Sequence, residues 1–235
     1  MSAVRKAFYM SIPVMAGYLV LGTGFGILMD KAGYGVLWSF AMSMLIFAGS
    51  MQYVGIGLLT GGASIITTFI TTIMVNARHL FYSISMIGRY KDAGKYKPYL
   101  IFALTDETYS ILSNDNTEFE DPDDLNRYRF YLTLFNQSYW VAGSVFGSLI
   151  GDVLPFSTEG IEFSMTALFT ASLVEQWLKS EDHIPAVTGL LGTAACLLIF
   201  GTENFLIPSM LLITFVLTVL RGRLDKTGSG KEAQL

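Results

Sequence analysis

The sequence predicts an all-α integral membrane protein, built as two inverted repeats with about six full spans and two re-entrant or broken helical hairpins. Three observations predict it. Hydrophobic residues make up 52% of the 235 and charged residues only 14%. No Asp, Glu, Lys or Arg occurs between Ala32 and Ala77. A stretch of the first half recurs in the second. A soluble domain would carry roughly a quarter charged residues, so the uncharged run calls for burial in hydrocarbon.

The first apolar segment, Phe8 to Met29, is longer than the roughly 7 to 15 residues of a signal-peptide core and is read as a retained span. The others are Tyr34 to Leu59, Ile65 to Met86, Tyr99 to Leu112, Phe130 to Ile150, Phe163 to Leu178, Ile184 to Phe200 and Phe205 to Leu220. Crossing about 30 Å of hydrocarbon takes about 20 helical residues, and Phe163 to Val174 falls short of that between Glu162 and Glu175. That piece is expected to be broken or re-entrant. Asp115 to Asp124 is an acidic, solvated loop, and Cys196, the single cysteine, lies in an apolar stretch where burial makes it inert.

Tyr18, Val20, Gly22, Phe25, Gly26 and Leu28 recur 121 positions later as Tyr139, Val141, Gly143, Phe146, Gly147 and Leu149. The register then slips by one, so that Phe47-Ala-Gly-Ser50 matches Phe169-Thr-Ala-Ser172. This divides the chain into a first repeat at 1–113, the acidic loop at 114–129, a second repeat at 130–222 and a polar tail at 223–235.

Arg5 and Lys6, the cluster Arg89, Lys91, Lys95 and Lys97, and Arg221, Arg223 and Lys226 all favour the cytoplasmic side. Eight plain spans would place the central cluster outside. The conflict disappears if Tyr34 to Leu59 and Phe163 to Leu178 are hairpins, which makes the repeats inverted, with both termini in the cytoplasm. Irregular backbone at membrane depth is tolerated where it lines a cavity, so the tips Ala48-Gly49-Ser50 and Thr170-Ala171-Ser172 are expected at a substrate site.

Small residues at such breaks let free amide N–H groups and helix dipoles meet a ligand. They equally permit close helix packing. The pairs Gly22/Gly26 and Gly143/Gly147 have GxxxG spacing and are read as packing faces. Charged and polar residues inside apolar segments carry more information, because each is costly there unless paired or facing a cavity. They are Asn76, Arg78 and His79; Asp106 and Glu107; and Glu175 with Gln176 and Glu203 with Asn204. Asp106 and Glu107 point about 100° apart on a helix, so one is expected to meet Arg78 while the other faces a cavity and carries a proton. The same residues are also readable as a structural ion pair. Gln52 is the neutral candidate for a substrate hydrogen bond, with a helix-to-helix contact as its alternative. Two histidines and one cysteine supply no metal constellation, no cofactor fingerprint follows a strand, and no basic, aromatic patch suits nucleic acid.

Gly22 to Gly26, Phe47-Ala-Gly-Ser-Met-Gln52, Asn76-Ala-Arg-His79 with Phe81-Tyr82, and Thr105-Asp-Glu107 together resemble the AzlC family of branched-chain amino-acid permeases, over about Phe8 to Leu220. The resemblance implies export of hydrophobic amino acids such as valine, leucine and isoleucine across the cytoplasmic membrane, alongside a small AzlD-type membrane subunit. It implies a carrier, not an enzyme. Two other classes stay open: a scaffold subunit of a transport complex, and an intramembrane enzyme, for which the sequence lacks HExxH or well-separated intramembrane aspartates.

Overall fold

The computed structural model describes residues 2–114, 119, 121–151, 153, 163, 166–167, 170, 173–174, 177–178, 182–205, 208–209 and 211–220. Among these there is no β-strand. The chain divides into two compact units, Met1–Met165 and Thr166–Leu235.

In the first unit, α1 (Ala3–Lys31) runs 29 residues, roughly 43 Å at 1.5 Å per residue, which is long enough to cross a bilayer. Gly33, with φ of 85°, closes its C-terminal end by turning the Tyr34 amide back onto the Met29 carbonyl. Two short helices follow, α2 (Gly35–Leu45) and α3 (Gly49–Thr60), separated at Ile46–Ala48. The helix α4 (Ile65–Met86) starts where the Ser64 hydroxyl accepts from the Thr67 amide at 3.1 Å. A second pair of short helices, α5 (Lys97–Phe102) and α6 (Asp106–Asn114), is separated at 103–105, and α7 (Pro122–Gly151) closes the unit.

The burial pattern is the reverse of a soluble fold. Ser11, Ser39, Ser43, Gln52, Thr108, Thr133, Asn136 and Ser144 are fully buried, while Leu37, Ile65 and Phe69 are 77, 89 and 64% exposed. An arrangement with so many apolar side chains turned outward while polar ones are buried is stable only where the surroundings are themselves apolar. This is a membrane protein.

The helices α1 and α7 run parallel and in register. The Lys6 ammonium sits over the Tyr128 ring, the Ser11 and Tyr139 hydroxyls meet at 3.0 Å, Tyr18 packs edge-on to Trp140, and Gly22 faces Gly143. A Cβ added at Gly26 would strike the Ser144 carbonyl, and one added at Gly147 the Thr23 carbonyl. The two GxxxG faces therefore bring backbone against backbone, which only glycine allows. Inverted repeats would set these two helices antiparallel. They are parallel because the α5–α6 segment, expected as one full span, adds no crossing between them.

That segment folds back on itself. The Arg89 guanidinium donates to the Leu112 and Ser113 carbonyls at 2.9 and 3.0 Å, Asn126 donates to the Asp92 carbonyl, and Arg129 to the Arg89 carbonyl. The turn before α5, the end of α6 and the start of α7 thus share one end of the unit. Ala3 and Ala7 of α1 pack into the same cluster with Tyr90, Leu100 and Tyr128. The α2–α3 segment folds back from the opposite end, as expected for Tyr34 to Leu59. It begins at the C-terminal end of α1, Gln52 returns to hydrogen-bond Ser43 at 3.1 Å, and Tyr53 then reaches the Leu21 carbonyl at 2.6 Å, heading back along α1.

In the second unit, α8 (Ile184–Asn204) starts with the Asp182 carboxylate accepting the Ile184 amide, is broken by Gly201 at φ of 73°, and packs Gly192 against Ile213 of the helix Leu211–Leu220. Its outer residues Leu198 and Ile199 are 87 and 73% exposed. Cys196 is buried. The expected second break falls in this unit, and its tip residues Ala171 and Ser172 lie outside the described residues, as does Glu175.

Candidate functional site

Both fold-back tips reach Tyr18, halfway along α1. At the first tip Phe47 adopts φ of 44°, a left-handed conformation that bulky side chains rarely hold, and packs edge-on to the Tyr18 ring with 6.3 Å between centroids. Burial among Tyr18, Ala103 and Trp140 fixes it there. At the second tip the Tyr18 hydroxyl lies 2.8 Å from Thr105 Oγ1 and 2.5 Å from Glu107 Oε2. Thr105 Oγ1 also accepts the Thr108 amide at 3.4 Å and so starts α6.

The N-termini of α3 and α6 are bridged by one side chain from α4. Arg78 donates through Nη2 to Ser50 Oγ at 2.6 Å and pairs through Nη1 with Asp106 Oδ2 at 2.6 Å, with each charged side chain 33% exposed. Ala48 gives α3 no side-chain cap, so the first amides of Gly49 and Ser50 present a positive helix end with no acidic residue in the first turn. The first turn of α6 instead carries Asp106 and Glu107. One edge of this junction suits an anion and the other a cation.

Around the junction lies a buried polar chain. Trp140 Nε1 donates to Gln52 Oε1 at 2.9 Å, Gln52 Nε2 donates to Ser43, Ser43 to Ser144, and Ser144 to the Trp140 carbonyl. Gln52 is fully buried with both ends of its amide engaged. In this conformation it ties α3 to α2 and α7, its helix-to-helix reading. Asn136 donates to Thr108 at 2.9 Å, and its carbonyl oxygen is buried without a partner. Asn76 has a buried, unpartnered carbonyl oxygen of its own, and His79 lies edge-on to Tyr82, which stacks on Tyr109.

Of the residues singled out in the sequence, Ala48, Gly49, Ser50, Arg78, Asp106 and Glu107 converge here, with Asn76 and His79 on the same helix as Arg78. Thr170 is exposed, with its hydroxyl on the Thr166 carbonyl at 2.7 Å. Sequence reasoning missed Asn136, Trp140 and Ser144 and the central place of Tyr18. Asn136, Trp140, Ser144 and Ser148 recur every fourth residue, a polar stripe on α7 that a helical reading of Phe130 to Ile150 could have found.

Comparison with known proteins bears on this arrangement. A sequence model of the family described as AzlC protein matches residues 13–154. The "Branched-chain amino acid transport protein AzlC" of Bacillus subtilis is 45% identical over 227 residues, covering 96% of this chain and 88% of that protein. An "Uncharacterized membrane protein" of Haemophilus influenzae is 40% identical over 226 residues, covering 95% of this chain and 91% of that protein. The "Inner membrane protein YgaZ" of Escherichia coli is 25% identical over 235 residues, covering 96% and 91% of the two chains. No solved structure matches.

Proposed function

The chain belongs to the AzlC family, and from that premise we propose that it is a secondary transporter exporting branched-chain amino acids across the cytoplasmic membrane, coupled to protons and working with a small AzlD-type subunit. The observation that carries this reading is the Arg78 bridge between the two fold-back tips. An amino acid has a carboxylate that suits Arg78 and the bare amides of Gly49 and Ser50, and an ammonium that suits Asp106. Each end of the zwitterion competes with the ion pair that joins the tips in its absence. Binding would therefore replace a protein–protein bridge with two protein–solute contacts and let the tips part.

Glu107 is the better proton carrier of the two acids, because Asp106 is committed to Arg78. Tyr18 donates to Glu107. A proton on the carboxyl turns that acceptor into a donor and gives Tyr18 a reason to swing away from it. His79 and Asn76 line the approach on α4 as gating residues. The tip Thr170-Ala171-Ser172 and Glu175 are proposed as the corresponding parts of the second repeat, with Gln52 joining the substrate shell only if the tips separate.

The topology belongs to the same proposal. The basic turn with Arg89, Lys91, Lys95 and Lys97 shares an end of the first unit with Lys6, which supports a cytoplasmic N-terminus by the positive-inside rule. The segments α2–α3 and α5–α6 then enter the membrane from opposite sides and return. The duplication of 1–113 in 130–222 is retained with α1 and α7 as its parallel counterparts.

Efflux of labelled valine from vesicles holding the chain with its small partner tests the reading, with and without an imposed pH gradient. Efflux equal to that of empty vesicles under both conditions removes the branched-chain assignment. Gradient-independent efflux removes the proton.

A further inference from the structure

Away from the junction, α4 and α5 enclose a cleft of about 350 Å³. Its α4 wall is Leu80, Ile84 and Ile87, one helical stripe that is 63, 65 and 63% exposed. Its other wall is Ile101 of α5 and Leu104 of the turn that follows, next to the tip residue Thr105. The two helices run in opposite senses, α4 toward the basic turn and α5 away from it. Tyr90 and Lys97 line the end at the basic turn, and Ser83 is the one polar residue farther along the α4 wall among the lining residues. From Ile87 to Leu80 the apolar floor extends roughly 10 Å into the membrane.

We propose that this cleft binds an anionic phospholipid, with an acyl chain lying along α4 and the phosphate at Lys97 and Tyr90. Three features choose that occupant. The walls are mostly apolar and exposed, a surface that hydrocarbon suits in a bilayer. The open end carries positive charge: Lys97 lines it, Lys91 and Lys95 lie in the same turn, and Arg89 and Arg129 act electrostatically on Tyr90. The Tyr90 side chain is only 2% exposed, yet its hydroxyl has no hydrogen-bond partner. Burial pushes the Tyr90 hydroxyl pKa up against the opposing effect of Arg129 and Arg89, so it keeps its proton and has a hydrogen bond to donate. Basic pockets between membrane helices on the cytoplasmic side hold anionic headgroups in this way. An amino-acid zwitterion has no acidic side chain to meet here. The site is independent of which solute the junction carries.

Native mass spectrometry of the full chain, released from nanodiscs of phosphatidylcholine doped with phosphatidylglycerol, tests this directly. Wild type is expected to retain phosphatidylglycerol in preference to phosphatidylcholine. Lys97→Gln should lower that adduct roughly fivefold, Tyr90→Phe should lower it less, and Ile84→Trp should fill the cleft and abolish it, with thermal unfolding confirming that each variant is folded. A photo-crosslinker at Ile87 gives an independent reading, because it should label phospholipid. Equal retention of both lipids, undiminished adduct in Lys97→Gln and Ile84→Trp, or crosslinking to a protein chain instead would each overturn the proposal.

Discussion

The two fold-back segments of the first unit solve the same problem with opposite chemistry. The tip of α2–α3 has no charge and no side-chain cap, and it holds its shape through a left-handed Phe47 wedged against Tyr18. The tip of α5–α6 turns through buried Ala103 and Leu104 and then becomes polar, with Thr105 capping the helix and Asp106 and Glu107 loading its first turn. One tip presents bare amides and the Ser50 hydroxyl and the other presents carboxylates, and Arg78 bonds the hydroxyl of the first and Asp106 of the second. A site for a molecule with one positive and one negative end needs that asymmetry. Two identical tips would bind half of such a molecule and repel the rest.

Substitutions can break the comparison, beginning with its hinge. Arg78→Ala takes the cation from Asp106 and unties the two tips, and labelled-valine flux in proteoliposomes should fall about 100-fold. Adding Asp106→Asn to it should cost little more, because the two residues act as one unit. If the double variant loses the sum of both effects, the bridge does not join the tips in function. Glu107→Gln sharpens the assignment at the charged tip. Uphill flux driven by a pH gradient should drop about tenfold, while exchange of valine for valine persists.

The two smallest effects compare the tips one residue at a time. At the bare tip, Gly49→Ala places a methyl 3.0 Å from the Trp140 ring, and thermal unfolding in detergent should report a loss of roughly 1 to 2 kcal/mol. At the charged tip, Thr105→Val removes the cap of α6 and an acceptor for Tyr18, which should cost about 1 kcal/mol. The first change disturbs shape and the second polarity, so only Thr105→Val is expected to alter the pH profile of transport.

How far these tips were legible in the sequence follows from the same contrast. The first is readable because a hairpin at Tyr34 to Leu59, with the small residues Ala48-Gly49-Ser50 at its tip, is part of what keeps the basic cluster at Arg89 to Lys97 on the side of the N-terminus. The second was not read as a break. Tyr99 to Leu112 has the composition of a short span carrying two acids, and only the distant partners of Arg89 at Leu112 and Ser113 show that the chain returns. Spacing along one segment cannot reveal a hydrogen bond to another. The pairing of Arg78 with an acid at 106 or 107 was anticipated from the cost of isolated charge in hydrocarbon. Ser50 as its second partner was not. The identities between the two halves are visible in the sequence, whereas the parallel sense of α1 and α7 is not, since counting the second fold-back as a crossing reverses the direction of everything after it.

The parallel pair α1 and α7 bears on how such a protein moves. Helices separated by side chains can slide or roll as rotamers readjust, but here the backbone of Gly26 lies against that of Ser144, and Gly147 against Thr23. A contact without side chains has no rotamers to exchange. The pair therefore acts as a keel, and a change of shape that opens the junction must be taken up by the short helices α2, α3, α5 and α6 hanging beside it. Slow amide exchange along residues 18–30 and 139–151, set against faster exchange at both tips, would be the signature of that division of labour.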